Sequence, residues 1–161
     1  MSYICASCGK EHKELSPYFM YRLPDSALDR RDEVVFDDKF TCRIGHEEYF
    51  ISCELEVPFK VDELDPLGFI CWARVDQQTY ESYRAYRAEE EILPPYADLV
   101  RGALANPIPK IPGSIGTPVG FKVLSGDPTP YILWVAPGSP VADLLETGAT
   151  VDYWHSAMGV S

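Results

Sequence analysis

Positive charge is scarce in this chain. Its 161 residues hold 14 Lys and Arg against 25 Asp and Glu, a formal net charge of −11 at pH 7. So acidic a surface repels phosphate backbones and anionic lipid, which argues against nucleic acid and the membrane as partners and is compatible with a basic protein. No apolar run approaches the roughly 18 residues that a membrane span needs. The start, Met1 to His12, has neither the basic nor the apolar region of a secretory leader. These absences lead to the expectation of a cytoplasmic protein with reduced thiols. Five cysteines, an odd number, then read as metal ligands or buried apolar groups rather than a disulfide framework.

Catalytic signatures are missing as well. There is no G-x-x-x-x-G-K-[S/T] and no H-E-x-x-H. The stretch Pro112-Gly113-Ser114-Ile115-Gly116 has the wrong spacing for a nucleophile elbow. Of only three histidines, His155 stands beside Asp152 and Ser156, but a triad needs residues that converge from separate elements. The expectation is therefore a protein that is not an enzyme.

What the chain does carry is Cys5-x-x-Cys8-Gly9-x-x-His12. Two thiolates two residues apart can grip one ion from a tight turn that glycine lets close, as in a zinc knuckle. Structural zinc takes four ligands. Cys5 and Cys8 supply two, His12 a third, and Cys42 the fourth, with His46 and Cys53 as alternatives for the last positions. Such a closed set makes zinc a structural cofactor; a metal-free knuckle is the bland alternative. Redox use of the pair is disfavoured, because Gly9-Lys10-Glu11 is a poor helix start. Cys53 and Cys71 read as small buried residues on strands.

The 14 prolines predict a loop-rich fold with few long helices. The patterning predicts one domain over 1–161: a knuckle segment over 1–24, an α+β body over 25–148 and a C-terminal tail over 149–161. Asp25 is expected to cap a short helix through Arg31. Phe40 to Ile44, a turn at Gly45-His46, and Glu47 to Val57 predict a β-hairpin. In its second strand Tyr49, Ile51, Cys53, Leu55 and Val57 face the core, while Ser52, Glu54 and Glu56 face solvent. Gly68 to Val75 reads as a central strand, and Asp76 as the cap of a helix through about Glu91 that Pro94-Pro95 stops. The stretch 106–118 is irregular and expected to wrap over the surface. Val119–Leu124 and Tyr131–Ala136 predict a second hairpin. Ser139-Pro140 starts a short helix, and Gly148 ends it. The fold class is thus α+β, with a mostly antiparallel sheet built from hairpins, two or three short helices and an N-terminal zinc-knuckle-like turn.

These pieces together resemble a bacterial family known as domain of unknown function 2199. The likeness rests on Cys5-x-x-Cys8-Gly9-x-x-His12, the segment ending at Cys42, and Glu48-Tyr49-Phe50 leading to Leu55-Glu56-Val57-Pro58. It continues through Trp72, Ile108-Pro109, Thr129-Pro130, Pro140-Val141-Ala142 and Gly148. The chain departs from the family pattern at Ser139, where a His is usual, and at Leu145, where a Gln is usual. The resemblance implies no particular activity. The reading that fits the residues best is a zinc-stabilised protein that acts by binding another protein. The alternatives are a zinc-dependent hydrolase-like enzyme with an open metal position, and a small-molecule-binding domain with Trp72, Tyr80 and Tyr83 around its pocket.

Overall fold

A computed structural model describes residues 3–4, 11–12, 18–59, 66–88, 99–123 and 129–157. The strands are β1 (Tyr3–Ile4), β2 (Glu11–His12), β3 (Tyr18–Met20), β4 (Val34–Asp38), β5 (Thr41–Ile44), β6 (Glu48–Val57) and β7 (Leu67–Val75). Helix α1 (Gln77–Ala88) follows, then β8 (Val100–Leu104), β9 (Pro118–Val123), β10 (Pro130–Val135), α2 (Pro140–Thr147) and α3 (Val151–Ala157). β1 and β2 pair with each other, Tyr3 opposite His12. The other eight strands form one sheet.

The expected hairpins are present, and so are the expected faces inside them. Tyr49, Ile51, Cys53, Leu55 and Val57 all enter the main core, as do Leu67, Phe69, Cys71, Ala73 and Val75 of β7. The open hairpin sheet is not what they build. β7 pairs with β8, β8 with β9, β9 with β10, and β10 returns to β6, which already pairs with β7. Five strands thus close into a barrel. Strands that alternate in direction and are odd in number must close on a parallel pair, and β10 runs parallel to β6 through Tyr131 and Glu54. Tyr80 and Tyr83 of α1, Val141 and Leu144 of α2, and Trp154 of α3 complete the core.

The two longest strands change partners along their length. β6 pairs with β5 over Glu48–Ile51 and with β10 at Glu54. β7 pairs with β3 over Gly68–Ile70 and with β8 over Ala73–Arg74. The outer face of this hairpin therefore carries a second, smaller core of Ala27, Cys42, Ile44, Phe50, Trp72 and Ala105. The expectation of a wet outer face is corrected: Ser52 and Glu54 are buried, and of the three only Glu56 is exposed.

Local signals were mostly obeyed. Asp76 Oδ1 accepts from Thr79 N at 2.7 Å, the expected cap of α1. Ser139 Oγ accepts from Ala142 N at 3.2 Å, and Gly148 ends α2 at φ +80°. Three expectations were not met. The helix over 25–31 is two short 3₁₀ turns, Asp25–Ala27 and Arg31–Glu33, the first without a side-chain cap. The stretch 106–118 is irregular but inserted rather than draped, with Asn106, Ile108, Ser114 and Thr117 buried. The C-terminal tail contains α3, whose Trp154 is in the core. The helix stop at Pro94-Pro95 lies outside the described residues.

Candidate functional site

Among the described residues β3 and β4 are the two terminal strands of the sheet, and β4 is made of Val34, Val35 and Phe36 followed by Asp37 and Asp38. β-branched and aromatic residues favour the extended chain. Asp38 Oδ1 then accepts from Phe40 N at 2.7 Å, which tightens the turn into β5. β4 pairs antiparallel to β5 with Val34 opposite Ile44, Val35 opposite Arg43 and Phe36 opposite Cys42, and the register shifts before Asp38. The extra residue is Asp37. A bulge of this kind re-aims a side chain, and here Asp37 Oδ2 accepts from the Tyr80 hydroxyl and from Arg43 Nε, the latter at 3.1 Å. Burial works against that charge, but the Tyr80 hydrogen bond and the two guanidiniums of Arg43 and Arg84 outweigh it, so the carboxyl is held below its usual range. Burial and the same hydrogen bond push the Tyr80 hydroxyl up.

Beside this anchored bulge, two apolar side chains face water. Val35 is 40% exposed and Phe36 52% exposed. They point to opposite faces, as neighbours on a strand must. The Phe36 ring lies 6.1 Å from the buried Trp72 ring, at the flank of the second core. Leu28 is exposed nearby in sequence. From Leu28 to Asp38 the chain carries five carboxylates and two guanidiniums. Arg30 is engaged by Glu33 at 2.9 Å, Glu48 at 3.2 Å and Glu47 at 3.8 Å.

A second feature is an open cleft of about 630 Å³ where the β5–β6 turn meets the end of β7, the start of α1 and the middle of β8. His46, Glu47, Arg74, Asp76, Gln77 and Arg101 line it. Arg74 pairs with Glu48 at 3.5 Å, and Arg101 lies 4.4 Å over the Trp134 ring. Cations and carboxylates thus alternate around the walls, so the cleft favours no one sign of ligand charge.

Cys5 and Cys8 lie outside the described residues, and His12 is described only as a backbone position opposite Tyr3. Cys42 is on β5, fully buried among Ala27, Phe50, Trp72 and Ala105. Burial, with Asp37 adding to it, pushes its thiol up to about 12. His46 is exposed at the hairpin turn and lines the cleft. Cys53 faces Cys71 across the strand pair inside the main core, and the hydrogen bond between them and burial push the Cys53 thiol up. Among the described residues no three His, Cys, Asp or Glu side chains are grouped to hold a metal. The three aromatics expected around a pocket do not converge: Trp72 belongs to the second core, whereas Tyr80 and Tyr83 are buried in the barrel core.

Sequence reasoning missed β4 altogether, although Val34-Val35-Phe36 is a short strand signal. No helix among the described residues is long and apolar enough to cross a membrane. No curated protein and no solved structure matches the chain. A family model described as an uncharacterised protein conserved in bacteria, domain of unknown function 2199, matches residues 4–148, from the residue before Cys5 to the glycine that ends α2. The chain belongs to that bacterial family.

Proposed function

We propose that this chain is a cytoplasmic, non-enzymatic protein that acts by binding another protein, with a zinc ion serving its fold. The observation that carries the reading is the pair Val35 and Phe36, exposed on a terminal strand within an acidic stretch. Apolar side chains bare on both faces of a strand edge are what an added strand packs against, and the charge around them suits a basic partner.

Zinc would be held by Cys5, Cys8 and His12, with Cys42 as the fourth ligand. The donor set is the soft thiolate and imidazole type that zinc prefers. The β1–β2 pairing is in keeping with it, since it sets the backbone of His12 one strand away from Tyr3, two residues before Cys5. Cys42 is the demanding member, because its apolar surroundings resist a free thiolate, and only a bound cation would offset that cost.

The test has two parts on protein purified without chelator. Mass spectrometry should find one zinc per chain, lost in Cys8→Ser together with thermal stability. Zinc retained in Cys42→Ser would remove Cys42 from the set. Cross-linking in the producing cells, followed by isolation, should recover a stoichiometric complex with one protein. Recovery of the free chain alone would overturn the protein-binding reading.

A further inference from the structure

The open edge of β4 resolves further into donors and acceptors. Val34 N donates to Arg31 O as the 3₁₀ turn ends, on the side away from β5. Residues two apart on a strand turn their backbone groups the same way, so the N–H and C=O of Phe36 also face outward. Among the described residues no strand pairs with that side of β4, and Val34 N is satisfied there within its own turn. An unpaired donor and acceptor, flanked above by the Phe36 side chain and below by that of Val35, form the template onto which an extended chain adds.

Most proteins guard such an edge, and part of the guard is visible here: the strand is short, a bulge follows Phe36, and Asp37 and Asp38 close it. The guard is selective by sign. A second copy of this chain, itself at −11, would bring its own Asp32 and Asp38 against the same residues, and like charges set side by side across strands are destabilising. Glu33 and Asp37 are instead held by Arg30 and Arg43. A segment with lysine or arginine between its apolar residues meets attraction instead. Discrimination of this kind needs a repulsive element as well as an attractive one, and the acidic stretch supplies both.

We propose that the outer edge of β4 docks an extended, lysine- or arginine-bearing segment of a partner protein, which adds to the sheet as a further strand beside Phe36. The proposal rests on the protein-binding reading above and names the surface and the chemistry of the partner.

The probe is a synthetic heptapeptide of alternating lysine and valine, titrated into the intact chain purified without chelator. Its controls are the same peptide with glutamate for lysine and one with proline at its centre. Backbone amide exchange by NMR should show the Phe36 amide protected by the lysine peptide and by neither control. Phe36→Lys and Val35→Lys should each weaken binding about tenfold or more, as loss of a central anchor does. Both side chains are exposed, so at least one variant should keep the wild-type melting point and serve as the folded comparison. Shifts spread evenly over acidic residues without protection at Phe36 would overturn the proposal. So would a wild-type dimer that Phe36→Lys dissolves, since the occupant would then be a second copy. A stoichiometric cellular complex that both lysine variants leave intact would remove the β4 edge while sparing the protein-binding reading; no complex at all would remove that reading itself.

Discussion

Replacing Asn106 by alanine should cost about 3 kcal/mol, far more than the loss of one surface amide. The reason is the way β8 leaves the sheet. Its ladder with β7 runs through Ala73 opposite Leu104 and Arg74 opposite Ala103, and Ala105 N continues it by donating to Trp72 O at 2.8 Å. The next acceptor should be Ala105 O, but that carbonyl has turned to accept from Asp25 N at 2.9 Å. Asn106 fills the gap: its Oδ1 accepts from Trp72 N, and its Nδ2 donates to Leu23 O, both at 2.8 Å. The side chain is fully buried and acts as a missing piece of backbone. Alanine leaves the buried Trp72 N–H without a partner, at about 1–3 kcal/mol. It also strips the half-buried Leu23 carbonyl and leaves a small void, which together bring the total to about 3 kcal/mol.

For a chain of this size that loss lowers the melting point by roughly 6–12 °C. Urea unfolding should show a lower midpoint at unchanged slope, and the Trp72 amide should exchange faster than its neighbours on β7. Asn106→Asp sharpens the test. It keeps the acceptor for Trp72 N and loses the donor to Leu23 O, unless the new carboxyl is protonated. Burial raises its folded pKa above the unfolded value of about 3.9. The aspartate's contribution is therefore complete below about pH 3.9 and is lost as pH rises through the folded value. The variant should approach wild type in acid and fall furthest behind at neutral pH. A loss under 1 kcal/mol in Asn106→Ala, or a pH-independent deficit in Asn106→Asp, would refute this account of the β8 exit.

The bulge on β4 and the cysteine pair give two further tests. Because the folded pKa of Asp37 is held down, its contribution is present above about pH 3.9 and lost as pH falls through the folded value; Asp37→Asn should be less stable than wild type at pH 7 and equal to it in acid, by thermal melts across pH, and a gap constant with pH would disprove the charge-based anchoring of β4. Cys53 and Cys71 should stay thiols under mild oxidant: Trp72 and Ile70 turn their backbone groups away from β6, toward Ala105, Asn106 and Tyr21, so Cys53–Cys71 is a hydrogen-bonded pair with Cβ atoms near 5.5 Å, too far for the roughly 3.5–4.5 Å of a disulfide, and an intact mass two hydrogens lighter with the two linked in a peptide map would contradict that register.

How much of this was legible depended on the range of the interaction that decided it. The face of β6 was readable because period two is a local property, and Ser139-Pro140 and Asp76 were readable because a cap bonds within three residues. α3 had a local signal that went unused: Thr150 Oγ1 accepts from Tyr153 N at 2.9 Å, a threonine cap ahead of Tyr153 and Trp154. β8 was harder. Val-Arg-Gly-Ala-Leu has little strand character, and its glycine answers to a distant neighbour, since a Cβ at Gly102 would lie 2.8 Å from Arg74 O. Closure of the barrel was out of reach, because the pair that closes it joins Tyr131 to Glu54 across nearly half of the chain.

The candidate edge was illegible for a sharper reason. Whether Val35 and Phe36 are buried or bare depends on whether another strand lies outside β4, and no property of those two residues records it. Glu54 is the converse case: alternation placed it on the outer face, and that face is buried at its position. Alternation assigns a side chain to a face, but topology decides whether the face is covered. An apolar residue on an uncovered face is therefore informative only after the sheet order is known, and it is the position of β4 at the end of that order, next to a bulge pinned by Tyr80 and Arg43, that turns Val-Val-Phe from ordinary strand text into a surface with a partner to find.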